Sequence, residues 1–310
     1  MNDTFVNEGS IKIYFSENYL EIPYNSWFFP GGEQGITIDI TDRVREHVIM
    51  KGNEHCSINV NYVYYGDTSF MLLLQAVDAV KRALISSNNN IKLGTLYIPY
   101  FPAARQDRVC NTGESLTAKV YADLVNSMNF SEVVVLDPHS DVVPALLNNA
   151  RVVSNLQFSK QVLTIEDANC ENSFIISPDA GANKKCIRIS HANNIELIRC
   201  DKNRDLSTGK ILETIVYADD LEGKNCYIFD DIASYGGTFM GISAALKLKN
   251  AGKIVLAVSH FEGVANLNHL KNAGIDQIYT TDSRKWNMNG YNDKGIITNI
   301  SIQNLLSNNR

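Results

Sequence analysis

The chain has no Cys-x-x-Cys pair; its six cysteines (Cys56, Cys110, Cys170, Cys186, Cys200 and Cys226) are scattered. That spacing excludes a zinc ribbon and offers no disulfide framework. No uninterrupted apolar run approaches the ~20 residues that cross a bilayer, so no membrane partner is expected. Basic residues are not in excess: the formal net charge is −6. A polymer of phosphates needs a basic stripe, so no nucleic-acid partner is expected, although a few lysines and backbone amides still suffice for a small phosphate ligand. Met1-Asn2-Asp3-Thr4 lacks the basic start and apolar core of a signal peptide. A reducing cytoplasm is the expected setting. No Pro/Gly/Ser tether, short-period repeat or low-complexity tract interrupts the chain.

What is present is alternation. Apolar runs alternate with helical spacing along the whole length, the pattern of parallel α/β units. Leu93–Tyr100 and Val133–Leu136 read as buried strands. Between them, Thr117–Met128 reads as a helix with Leu116, Val120, Leu124 and Met128 on one face. Phe70–Ile85 carries Leu73, Ala76, Val77, Val80 and Leu84 at helical spacing. The series restarts after Arg151, with strands at Ser173–Ser177, Cys226–Phe229 and Ile254–Val258 and a helix over Phe239–Asn250. The expected fold is α/β: two packed domains, 1–150 and 151–310, each a parallel sheet flanked by helices. The last ~20 residues could pack back on the first domain.

The most informative segment is Ile228-Phe229-Asp230-Asp231-Ile232-Ala233-Ser234-Tyr235-Gly236-Gly237-Thr238. It sets two carboxylates at a strand end, then a glycine turn, then a helix. A turn feeding a helix N-terminus presents backbone N–H groups and the positive dipole end to an anion. The carboxylates are placed to accept hydrogen bonds from vicinal sugar hydroxyls. A ligand with a phosphate at one end and a diol at the other fits both; the competing reading is a tight turn with a solvated acidic pair.

This segment resembles the ribose-phosphate loop of the type I phosphoribosyltransferase fold. The whole chain resembles the ribose-phosphate pyrophosphokinases, or phosphoribosyl pyrophosphate synthetases. Tyr100 to Arg108 is close to that family's P-Y-x-R-Q-D-R stretch, and Gly113-Glu114-Ser115-Leu116-Thr117-Ala118-Lys119 to its G-E-P-L-T-A-K. Asp137-Pro138-His139-Ser140 is similar to D-x-H-S/A, and Ser177-Pro178-Asp179-Ala180-Gly181 to S-P-D-x-G. Asp201-Lys202-Asn203-Arg204 stands where the family has D-K-R-R, and Phe29-Pro30-Gly31-Gly32-Glu33 echoes F-x-N-x-E. The Ser234-Tyr235-Gly236-Gly237-Thr238 loop is similar to loops of a divergent, often bacteriophage-encoded branch.

The resemblance implies ATP as diphosphate donor and Mg²⁺ as cofactor, with His139 and Asp179 around the metal. It implies Lys202 and Arg204 as catalytic cations on a loop closing over the phosphates. Phe29, Glu33, Arg105, Gln106, Asp107 and His139 would bind ATP, the first two reaching the adenine site of a neighbouring subunit. A homo-oligomer, dimer or hexamer, with a shared ATP site follows. Asp179, Asp230, Asp231, Ser234, Tyr235, Gly236, Gly237 and Thr238 would hold the acceptor, which is ribose 5-phosphate by default and ADP-ribose as the alternative. Two departures stand out: Gly31 replaces an asparagine that helps read adenine, and Ser234-Tyr235 replaces an Asp-Thr pair. A phosphoribosyltransferase would need no ATP block, and a non-catalytic homologue would be expected to lose the cations or the metal residues. The aromatics between Tyr14 and Phe29 read as core packing or a subunit contact.

Overall fold

The structure is a computed structural model describing residues 11–15, 20–50, 56–85, 90–204, 211–264, 266–285 and 295–307. The chain divides into two compact units, Met1–Val153 and Ser154–Arg310. Each is α/β.

In the first unit the order is β1 (Ile11–Phe15), β2 (Leu20–Ile22), β3 (Tyr24–Phe28), β4 (Gln34–Ile38), α1 (Asp42–Met50), β5 (Cys56–Tyr62), α2 (Asp67–Val80), β6 (Ile91–Tyr97), α3 (Thr117–Ser127), β7 (Glu132–Leu136), α4 (Val142–Leu146) and β8 (Ala150–Val153). Strands β2-β1-β5-β6-β7-β8 form one sheet. From β5 to β8 it is parallel, while β1 runs antiparallel to both β2 and β5. The sheet is therefore parallel as expected over β5–β8, with an antiparallel margin at β1 and β2. Arg151–Val153, across the expected boundary, pairs with β7 and belongs to this first sheet. Strands β3 and β4 form a separate antiparallel hairpin.

Helix α2 buries the face its spacing specifies: Leu73, Ala76, Val77 and Val80 are all buried, as is Leu84 beyond it. Helix α3 does so only in part. It buries Ala118, Ala122 and Val125, whereas Val120 and Leu124 are exposed. Small alanines at i and i+4 line the buried face; of the expected stripe Met128 is buried and Leu116 half-buried.

The second unit contains α5 (Leu156–Ile165), β9 (Ser173–Ser177), α6 (Asn183–Asn193), β10 (Leu197–Arg204), β11 (Ile211–Val216), β12 (Asn225–Ala233), α7 (Gly237–Leu248), β13 (Ile254–Phe261), α8 (Leu267–Asn272), β14 (Gln277–Thr281), β15 (Ile297–Ile300) and α9 (Ile302–Ser307). Its sheet has the order β11-β10-β9-β12-β13-β14-β15. It is parallel except at the β10–β11 edge. Central strand β13 is buried along its whole length, as expected of a parallel strand covered on both faces. The C-terminal strand β15 pairs with β14 and is part of this second sheet. Among the described residues no helix is long and apolar enough to cross a membrane.

Candidate active site

In open α/β sheets ligands gather at the carboxyl ends of the strands, and the predicted residues of the second unit lie there. Strand β12 does not stop at Phe229. It runs through Asp230 and Asp231 to Ala233, held by parallel pairing of Asp230 with Val258 and of Ile232 with His260. The acidic pair is therefore built into the sheet, against the low strand propensity of aspartate. Asp230 is half-buried and its Oδ1 accepts a hydrogen bond from the Asp231 N–H at 2.9 Å. Burial first, then the neighbouring Asp231 carboxylate and the charge of Asp179, push the Asp230 carboxyl well above the usual carboxylate range. Asp231 is buried, with Lys185 Nζ of α6 at 4.0 Å from its Oδ2.

After Ala233 the chain turns through Ser234, Tyr235 and Gly236. Gly236 has φ 80°, a left-handed conformation suited to glycine. Gly237 then opens α7, and no heavy atom lies within 4 Å of the place a Cβ would occupy there. No side chain caps this helix, which leaves its first amides without a side-chain acceptor. Ser234 and Thr238 are half-buried, while Tyr235 is 77% exposed.

Asp179 stands at the end of β9, which is hydrogen-bonded to β12. Its Oδ1 accepts from Ala182 N–H at 3.1 Å, which fixes the carboxylate at the start of α6. The fold thus brings Asp179, Asp230 and Asp231 together. Sequence reasoning missed Lys185. Its signal is Lys184-Lys185 in the first turn of a helix, where the dipole disfavours cations.

Lys202 and Arg204 are on β10, whose backbone pairs with β11, Lys202 opposite Thr214 and Arg204 opposite Ile211. Their side chains, and residues 205–210 of the expected catalytic loop, lie outside the described residues. Thr214 Oγ1 lies close enough to α7 that a Cβ on Gly241 would come within 2.9 Å of it. The hairpin therefore backs directly onto the helix that begins with the glycine turn.

In the first unit, the segment after β6 carries Arg105, Gln106 and Asp107, and the segment after β7 carries His139. Arg105, Gln106 and His139 are exposed. Asp107, expected among the ATP contacts, is turned inward and buried. It accepts from Ser140 and from Arg108 Nε at 3.1 Å. The Ser140 hydrogen bond, outweighing burial, and then Arg108 and His139 hold its carboxyl below the usual range. Asp107 thereby fastens the two segments side by side, and Ala118 N–H of α3 donates to Gln106 O at 3.2 Å from the other side.

Phe29 and Glu33 close the β3–β4 hairpin, where Phe29 N–H donates to Glu33 O and Gly32 N–H to Phe29 O, both at 2.8 Å. Trp27, Phe28 and Phe29 are exposed, whereas Phe15 is core; the aromatic stretch is thus divided between surface and interior. Trp27 packs edge-on against Phe29, ring centroids 6.0 Å apart. A Cβ on Gly31 would meet Glu33 Oε2 at 2.8 Å. The missing side chain leaves that space to the Glu33 carboxylate.

The family of the N-terminal domain of ribose phosphate pyrophosphokinase matches residues 29–128. Ribose-phosphate pyrophosphokinase of Vibrio cholerae is 33% identical over 262 residues, covering 82% of this chain and 76% of that protein. The chain belongs to the ribose-phosphate pyrophosphokinase family. By that membership it is a diphosphotransferase enzyme. The Sulfolobus acidocaldarius pyrophosphokinase is 28% identical over 204 residues, 64% of this chain and 69% of that protein. The crystal structure of phosphoribosylpyrophosphate synthetase from Mycobacterium smegmatis shares the fold, with a TM-score of 0.72 and 20% identity over 93% of this chain and 88% of that one.

Proposed function

We propose that this pyrophosphokinase transfers the β,γ-diphosphate of ATP to the anomeric C1 hydroxyl of ribose 5-phosphate and releases AMP. The observation that carries the reading is an uncapped helix N-terminus with an open glycine turn, directly following a strand that holds two crowded carboxylates. The amides of Gly236, Gly237 and Thr238 suit a terminal phosphate. Ser234 adds a hydroxyl donor. Asp230 and Asp231 accept from the ribose hydroxyls, which relieves their mutual repulsion. The first unit would bind ATP, with Arg105 on the polyphosphate and Gln106 on the nucleoside, and the second unit the acceptor. Asp107 supports that ATP site by holding its two segments rather than by touching the nucleotide. As the C1 oxygen bonds to the β-phosphorus, the bond from that phosphorus to the α-phosphate oxygen breaks and the hydroxyl proton is lost. Lys202 and Arg204 would neutralise the charge spread over the β-phosphate oxygens, the main task in such a transfer.

Mg²⁺ fits the donor chemistry. Among the described residues no cluster of three His, Cys, Asp or Glu side chains forms a protein cage, and Mg²⁺ favours a carboxylate or two with water and substrate phosphates. Asp179, already crowding Asp230, is the carboxylate of the second unit best placed for it, and in the first unit His139 would meet phosphate rather than the ion. When bound, the ion would neutralise polyphosphate charge. The exposed Phe29 and Trp27 of the hairpin suit a base presented by a second copy of the chain, in line with a homo-oligomer sharing its ATP sites.

One observation favours a second acceptor. Tyr235 is 77% exposed beside the glycine turn, free to stack on a base attached through a phosphodiester. ADP-ribose fits that description. The test is AMP release from ATP with each acceptor alone, then competition at equal concentrations read by product mass. AMP release that needs neither acceptor would sink the proposal. Diphosphorylated ADP-ribose in preference to ribose 5-phosphate would reassign the acceptor. Release of pyrophosphate from a ribose phosphate diphosphorylated at C1, with a nucleobase taking its place and no ATP present, would instead indicate a phosphoribosyltransferase.

A further inference from the structure

We infer that Glu262 and Arg284 form a positioning pair that fixes the acceptor loop, an inference resting on the acceptor-loop reading above. Glu262 follows β13, and its N–H donates to the Ala233 carbonyl at 2.9 Å, the last tie before the chain leaves the sheet for Ser234-Tyr235-Gly236. Its carboxylate accepts from Arg284 NH1 at 3.1 Å, with side chains only 9% and 23% exposed. Water screens such a pair weakly.

Arg284 is itself held. Thr281 Oγ1 and Ser283 Oγ both donate to the Ser259 carbonyl, at 2.6 and 3.2 Å, and His260 Nδ1 lies 2.7 Å from Ser283 Oγ. Ser259, His260, Thr281 and Ser283 are all buried. These bonds lock the end of β14 to the end of β13, so the Arg284 guanidinium reaches Glu262 from a fixed base. The Glu262 backbone then transmits that position to Ala233. None of these groups is needed to touch the substrate. Their effect falls on where the glycine turn sits, and hence on how tightly a phosphate is held.

The test compares Glu262→Gln and Arg284→Met with the parent enzyme. Each variant is expected to raise the KM for the sugar phosphate about tenfold and to weaken binding of inorganic phosphate in parallel, while the KM for ATP moves less than twofold. The double variant is expected to be no worse than the worse single, because the two residues act as one unit. Should either variant fail to fold by circular dichroism, Glu262→Asp and Arg284→Lys keep the charges, alter the reach, and are expected to give a smaller rise of the same kind. An unchanged sugar-phosphate KM and phosphate affinity overturns the inference, as does a fall in kcat with both KM values intact. Gly237→Val, whose Cβ meets no neighbour within 4 Å in the free protein, separates the two levels. If it weakens the sugar phosphate and the pair variants do not, only the pair inference fails. If it leaves sugar-phosphate binding untouched, the loop reading fails and takes the pair with it.

Discussion

Asp107 in the first unit and Asp230 in the second are both withdrawn from water at the carboxyl edge of a parallel sheet, yet their chemistry runs in opposite directions. Asp107 is surrounded by donors, Ser140 and Arg108, and its carboxyl is held down. Asp230 faces two other carboxylates, Asp231 and Asp179, and its carboxyl is pushed up. A carboxylate with its partners supplied by the protein is a fastening. One crowded by other carboxylates is a place for a ligand, since bound hydroxyl donors or a cation relieve the repulsion that the fold leaves in place.

The contrast would be sharpened most by the cations expected to complete the acidic side. Lys202→Ala and Arg204→Ala are each expected to lower kcat about a hundredfold or more, with ATP affinity changed far less. Single-turnover AMP release measures it, and losses under tenfold in both would remove the hairpin from the chemistry.

Next comes Asp230→Asn. It should raise the KM for the sugar phosphate about tenfold or more while making the folded protein more stable, by about 1 kcal/mol. The sign follows from linkage: a carboxyl whose folded pKa is raised loses stability as pH climbs from its unfolded value through the folded one, so at neutral pH the wild type bears that cost. Denaturant unfolding at pH 7 checks it. A destabilised, fully active Asp230→Asn would break the comparison.

Asp107→Asn should do the reverse, costing about 1–3 kcal/mol at pH 7 because Ser140 and Arg108 lose the buried anion they donate to. The Asp107 carboxyl is lowered on folding, so its contribution is present above the unfolded value of about 3.9 and is lost as pH falls through the lower folded value. The gap between wild type and variant should therefore close under acid. A gap that persists once the carboxyl is protonated would show that shape, not charge, holds the two segments together.

The smallest effect is expected at Tyr235. Tyr235→Ala should change the KM for ribose 5-phosphate by less than about threefold and weaken any use of ADP-ribose by about tenfold, as loss of one base–aromatic stack implies. Equal effects on both acceptors would remove the ring from acceptor choice.

Much of this was legible before any coordinates. The β9, β12 and β13 runs are apolar enough to be buried strands, and Gly236-Gly237 between a strand and an amphipathic run has few other uses. The register of β12 was not, because two aspartates read locally as a strand's end and only pairing with Val258 and His260 carries the strand onward. Nor was the buried face of α3, where Ala118 and Ala122 outrank Val120 and Leu124. Hydrophobic spacing weighs size, whereas close packing against a neighbouring element rewards its absence. The inward turn of Asp107 depends on Ser140, 33 positions away, and no local pattern shows it.

The β10–β11 ribbon has one further consequence. Among the described residues, strand β10 bonds to β9 only over Leu197–Arg199, and from Cys200 to Arg204 its ladder partner is β11 alone. A two-stranded ribbon has little stability of its own, so this stretch should open more cheaply than β12 and β13, which are paired on both sides. Backbone amides at Asp201–Arg204 should exchange with solvent deuterium orders of magnitude faster than those of Ile228 or Leu256. The positions that carry the two cations thus sit on backbone that can separate from its neighbour while the sheet beneath stays paired, and substrate that spans the ribbon and the glycine turn would be read out as slowed exchange along one edge.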